Sequence, residues 1–143
     1  MDLLTRSINL KEEAQKKIAI NNLLDFLGEN NIHLAFKCNA TYSTGQMNIG
    51  IGVAPERIPG QWMVTLPVDD YETVALVCLE RNGDVHRFIF SKEFYEKIKG
   101  KLSRDSNGQW RFTIIAERGI FSLKLPNYPP SVIDKYEDYV QEL

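Results

Sequence analysis

The run Thr73-Val-Ala-Leu-Val-Cys-Leu79 is apolar at both odd and even positions. A strand with one wet face alternates polar and apolar side chains, so a stretch without alternation has to be covered on both sides. It is therefore expected at the heart of a sheet. Asn82-Gly83 follows, the pair that most readily adopts the positive φ angles of a type I′ turn, and Val85 to Phe90 resumes the strand pattern. A hairpin built on the central strand constrains everything else the chain can do.

Around that hairpin the signals alternate in kind. From Asn9 to Leu27 the residues Leu10, Ala14, Ile18, Leu23, Leu24 and Leu27 mostly keep the three-to-four spacing of one helical face, with Asn9 as cap and Gly28 as stop. Lys11, Glu12, Glu13, Lys16 and Lys17 then form its solvated side. Ile32 to Ala40 alternates as a half-buried strand, and Met47 to Val53 reads as a short strand in which Gly50 and Gly52 mark a bulge or a close backbone approach. Ala54 to Gln61 is a loop. Trp62 to Pro67 is a strand, and Ser91 caps a short helix from Lys92 to Lys99. Asn107-Gly108 and Glu117-Arg118-Gly119 bracket strands Trp110 to Ala116 and Ile120 to Leu125. Pro130 suits the first turn of a C-terminal helix, Ser131 to Leu143, with Val132, Ile133, Tyr136 and Val140 on one side.

No βαβ series alternates along the chain. The expected class is α+β: a mixed or mainly antiparallel twisted sheet of about 6–7 strands with an N-terminal helix, a short central helix and a C-terminal helix. At 143 residues, 43% hydrophobic and 25% charged, the chain fits a single domain, 1–143, with a core large enough to stand without disulfides or metal. No apolar run reaches the roughly 18 to 20 residues needed to cross a bilayer, and Asp2 and Arg6 interrupt any signal-like segment. A cytoplasmic protein with no membrane partner is expected.

The net charge of −2 gives no global basic excess of the kind a polyanion-binding surface leaves on a small domain. Cys38 and Cys78 each lie in an apolar stretch and read as reduced core thiols. Together with His33 and His86 they match no zinc spacing, so no metal site is expected. Gly-Gln-Met-Asn-Ile-Gly-Ile-Gly, residues 45–52, fits neither a dinucleotide nor a P-loop fingerprint. Asp69, Asp70 and Glu72 are near enough in sequence to bind a hard cation if all three point into one cleft, although acids flanking a strand are more often solvated turn residues. Trp62, Trp110, Tyr42 and Phe88 are candidate base-stacking rings, with Arg57, Arg87, Arg104 and Arg111 as candidate phosphate partners. Trp110 and Phe112 share one parity and Arg111 takes the other, which inside-outside alternation also explains.

The segments Gln61-Trp-Met-Val-Thr-Leu66, Asp70-Tyr-Glu-Thr-Val-Ala-Leu-Val-Cys-Leu79 and Arg87-Phe-Ile-Phe-Ser-Lys-Glu93 make the chain from Ile32 to Lys99 resemble a restriction-endonuclease-like domain of the PD-(D/E)XK superfamily. The resemblance aligns Phe36-Lys37 with the end of the catalytic Glu-x-Lys motif. Ala35 stands at the motif acid, Asp25 falls in the first helix and Glu29 in the turn after it, so the acids that would hold an activating metal are missing. The resemblance implies a nuclease-like domain without its metal site, acting as a DNA-associated or accessory protein and needing no cofactor. Its nucleic-acid candidates are Arg57, Trp62 and Arg87. An active nuclease would instead use Mg²⁺ with Lys37, Asp69, Asp70 or Glu72. The alternative is a non-catalytic module that binds a protein or small ligand through the Gly-rich segment and a cleft beside Trp62. A second copy is a further expected partner, pairing along the 110–125 hairpin.

Overall fold

The computed structural model describes the backbone of residues 3–143 and the side chains of residues 11–143. Helix α1 spans Leu3–Glu29, and five strands follow: β1 Ala35–Cys38, β2 Thr41–Ser43, β3 Asn48–Pro55, β4 Gln61–Leu66 and β5 Thr73–Leu79. Then come β6 Val85–Ile89, helix α2 Lys92–Lys99, β7 Ser103–Arg104, β8 Trp110–Glu117, β9 Ile120–Lys124 and β10 Ser131–Val132, closed by a 3-10 turn at Asp134–Tyr136.

The class is α+β, but the strands form two sheets. One has the order β1-β2-β3-β5-β6; the other has β10-β9-β8-β4, with β7 also paired to β8. All pairings are antiparallel except β3 with β5. That parallel pair arises because the chain between them detours through the second sheet to form β4. In β4, Trp62, Val64 and Leu66 are buried while Met63 and Thr65 are exposed, so one face suffices and the strand joins the sheet with a wet side.

Strand β5 has two apolar faces because two different cores flank it. Ala75 and Val77 pack with Ala19, Leu23 and Leu27 of α1 and with Ile49 and Ile51 of β3. Val74, Leu76 and Cys78 pack into the space between the sheets with Trp62, Phe88, Phe112, Ile114 and Leu123. The run that first suggested a central strand is thus the partition between two clusters.

Gly50 and Gly52 sit where β3 is approached most closely. A Cβ at Gly50 would meet the Tyr71 ring at 2.9 Å, and one at Gly52 would meet Val64 Cγ1 at 2.5 Å. Close approach, one of the two readings the sequence left open, is their reason.

Several local expectations need correction. Helix α1 begins at Leu3, so Asn9 lies inside it, and its buried stripe is Ala19, Leu23 and Leu27, whereas Ile18 is 68% exposed. Expected inward residue Leu10 lies outside the residues whose side chains are described. Asn31, with φ of 63°, makes the left-handed reversal after the helix in place of Gly28. Strand β1 is shorter than expected and exposed throughout, because it hangs at the rim beyond β2 with no layer packed on it. The Asn82-Gly83 hairpin exists, yet only Gly83 has positive φ, within a loop closed by Glu80 and Asp84. The turn with two positive φ angles, a type I′ arrangement, is Arg118-Gly119 between β8 and β9.

The C-terminal helix is absent. Ser131 and Val132 instead pair with Leu123 and Ser122, and Ile133 donates its N–H to Phe121 O. The open edge of β9 supplies a ladder that also buries Ile133 and Tyr136, which outweighs the local helical spacing.

Ser91 caps α2 as its sequence suggests, accepting from the Phe94 N–H at 3.1 Å. Ser91→Ala is expected to cost about 1 kcal/mol and Ser91→Gly only a few tenths. A melting comparison of the two variants checks this: equal losses would remove the cap as the cause.

Candidate binding cleft

The loop from Pro55 to Gln61 is held from within. Glu56 accepts the N–H of Gly60 at 2.7 Å and of Arg81 at 3.0 Å, and these two bonds hold its carboxyl below the usual carboxylate range. Arg81 returns Nε to Glu56 O and its guanidinium to Arg57 O. Gly60, at φ of 72°, lies so near Ala116 O that a Cβ would stand 2.9 Å from it. The loop is therefore a built support for Arg57 and Ile58.

That support forms one wall of a cavity of about 360 Å³. Its other walls are Val53 to Pro55 at the end of β3, the outward residues Met63 and Thr65 of β4, the Asp105-Ser106 turn, Arg111 of β8 and Lys16 of α1. Strand β2 pairs with β3 only as far as Gly50, and β4 has β8 on one side only, so two strand edges open toward the cleft among the described residues. Such edges carry unpaired backbone donors and acceptors.

Three cations face this space. Arg111 sits across from Thr65 and from Ser103 on neighbouring strands, and its Nε is covered yet has no hydrogen-bond partner among the described residues. Arg57 is largely exposed and pairs with Glu12 at 3.0 Å. Lys16 is half-buried, four residues before Ile20 and seven before Leu23, hence on the sheet-facing stripe and off the solvated side where its charge suggested it belonged. The single acid of the lining, Asp105, turns one oxygen to the N–H groups of Asn107 and Gln109 at 2.9 Å. The cleft thus carries a local positive excess that the whole-chain charge hides. It can hold an anion by charge-assisted hydrogen bonds.

The residues singled out from sequence are scattered more widely. Trp62 is 1% exposed and donates its indole N–H to Leu79 O at 3.0 Å, so its ring belongs to the core and offers no face for stacking. Arg87 is engaged by Asp138 and Asn22 and lies 4.0 Å over the Phe26 ring. Arg57 alone of the three nucleic-acid candidates lines the cleft. Arg104 covers Trp110 at 4.6 Å.

Asp69 and Asp70 share with Glu72 the rim of a second, more open groove of about 670 Å³ beside Tyr95, Lys99 and Trp110. Asp69 accepts from Thr41 Oγ1 at 3.1 Å and from the Asp70 N–H at 2.8 Å, and Glu72 pairs with Lys92 at 3.5 Å. Lys37 is exposed on β1 and reaches only the groove's edge, donating to Asn48 Oδ1 at 3.3 Å. Strands β2 and β3 separate it from β5, although all four lie in one sheet. Tyr71 and Tyr95 border this groove with hydroxyls pushed up to about 12, chiefly by burial. Among the described residues no three of His, Cys, Asp and Glu are grouped to hold a metal ion. No described helix is long and apolar enough to cross a membrane.

Cys78 stands directly across from His86 in the β5–β6 hairpin. Burial pushes the thiol well above its usual range and keeps it in the unreactive form. Cys38, expected in a core, is exposed because β1 is.

Two packed sheets, one backed by a helix, with a cationic cleft at their open edge, define an α+β fold. No family model matches the chain, and no curated protein or solved structure matches it.

Proposed function

We propose that the chain is a non-catalytic, nucleic-acid-associated binding domain that grips the phosphates of a single strand in the cleft between α1 and the second sheet. The observation that carries this reading is the convergence of Lys16, Arg57 and Arg111 on one cavity. Two guanidinium groups and an ammonium around one cleft can converge on phosphate oxygens by charge-assisted hydrogen bonds. Two supports come from the sequence: the resemblance to a DNA-acting superfamily, and Ala35 where that superfamily's motif acid would stand.

The cavity also has the size of a small-ligand pocket, which favours a phosphorylated small molecule as the second reading. Titration of labelled single-stranded oligonucleotide, duplex, mononucleotide and inorganic phosphate separates these. For three neutralised phosphates on a single strand, log K is expected to fall with log salt at a slope of about −2, and Arg111→Gln should flatten it by about 0.7. Saturable binding of mononucleotide without oligonucleotide binding would move the conclusion to the second reading. Absence of binding by every probe at low salt, or an affinity indifferent to Lys16→Gln and Arg111→Gln, would sink both.

A further inference from the structure

The C-terminal segment is fastened to the outer edge of β6 at two successive residues, one on each face of the first sheet. On the face toward α1, Arg87 forks onto Asp138 at 2.8 and 3.3 Å, donates Nη1 to Asn22 at 2.9 Å, and covers Phe26. Asp138 returns its N–H to Arg87 O at 2.8 Å, and Glu137 makes a bridge to Phe88. On the face toward the second sheet, His86 lies between two carboxylates, with Nδ1 at 2.8 Å from Glu137 and Nε2 at 3.2 Å from Glu80. The Glu137 contact is an aligned hydrogen bond; the Glu80 contact is an ion pair off the N–H direction.

We infer that the His86 imidazolium is a proton-operated fastener, which holds the segment after Tyr136 against the β6 edge when charged and loosens it when neutral. A charged ring can donate from both nitrogens, and both face carboxylates. A neutral ring has one donor, so one carboxylate loses its attraction while Glu80 and Glu137 still repel each other across the ring.

The surroundings bear on this from every side. The ring packs on Phe121 at 4.6 Å, Phe88 at 6.4 Å and Trp62 at 6.5 Å, which supply no charge. Cys78, opposite on β5, is a neutral thiol. Asp134 is occupied by the Phe121 N–H. The Arg87–Asp138 pair on the other face keeps the segment tethered, so the change is a loosening and not a detachment.

Burial by itself lowers the His86 pKa, but Glu137 and then Glu80 outweigh it and leave it above the ordinary 6.5. A raised folded-state value means that the fastening is fully present below about pH 6.5 and is lost as pH rises through the folded pKa. Each unit of elevation corresponds to about a tenfold change in the closing equilibrium.

The test is amide exchange on the intact chain between pH 6 and 8.5, read at the Asp138 N–H and corrected for intrinsic exchange, with the two histidines followed by NMR. His33 is exposed and provides a separate reference signal. Protection at Asp138 is expected to fall severalfold across the window in step with the His86 titration, and His86→Gln should abolish that dependence. Glu137→Gln, which keeps the side-chain volume, should lower the His86 midpoint and flatten the profile, and it serves if the histidine variant does not fold. A pH-independent protection in the unmodified chain, or a His86 midpoint unmoved by Glu137→Gln, overturns the inference.

Discussion

Replacing Trp62 by alanine is expected to lower the free energy of unfolding by about 3–5 kcal/mol, a large part of the roughly 5–15 kcal/mol of an ordinary domain. The ring is the largest fully buried side chain and rises from β4 into the space between the sheets. There it touches Phe121 of β9, with centroids 5.6 Å apart, and its N–H bonds to the carbonyl of Leu79 at the end of β5. One residue therefore joins three strands from both sheets. Trp62→Phe separates the two contributions: most of the packing stays while Leu79 O loses its donor, for an expected loss of about 1–3 kcal/mol. Urea unfolding of both variants gives the comparison. A loss under 1 kcal/mol for the alanine variant would mean that the sheets do not depend on this wedge.

Gly52→Ala has the second largest expected effect, a loss of about 1–3 kcal/mol from overpacking. Its Cβ would lie 2.5 Å from Val64 Cγ1 and 3.2 Å from Leu66 Cδ2, inside ordinary contact. Val64 is fully buried and β-branched, so it has no free rotamer into which to retreat. The same alanine in a Val64→Ala background should cost almost nothing, because the methyl then fills the space that Val64 vacates. The double-mutant cycle is the measurement, with a coupling of at least about 1 kcal/mol expected. Additive losses would show that the glycine is needed for its backbone and not for the approach of β4.

The central strand was readable and the sheet count was not. Thr73–Leu79 carries its burial in its own composition, since lack of alternation reports two covered faces whatever covers them. Whether a second sheet or a second layer of helices does the covering is decided by β4, β8 and β9, whose alternating patterns are the same in either arrangement. The phase of α1 failed for a related reason. Ile18 and Lys16 are both sterically acceptable on either side of a helix, and the choice fell to where β3 and β5 present Ile49, Ile51 and Val77.

The cleft shows the same division more sharply. Arg57 and Arg111 were visible as cations, but they are 54 positions apart in the chain, and Lys16 lies farther still from Arg111. One signal for Lys16 was present: it continues, one turn earlier, the row of Ile20, Leu23 and Leu27. Nothing along the chain ties that row to the outer face of β8. Trp62 and Arg87 illustrate the reverse error, since an aromatic ring or a guanidinium reads as a surface feature until a core or a carboxylate claims it.

Period-two and undiluted apolar runs and a capping serine are properties of neighbouring residues, so the amino-acid order determined the α+β class, the central hairpin and α2 without help. The two-sheet division, the β-paired C-terminal segment, the rotation of α1 and the meeting of Lys16, Arg57 and Arg111 were decided by the tertiary structure alone. Each depends on which distant edge or face remains open once the core has closed, and that competition between local preference and long-range burial is not written in any short stretch of chain.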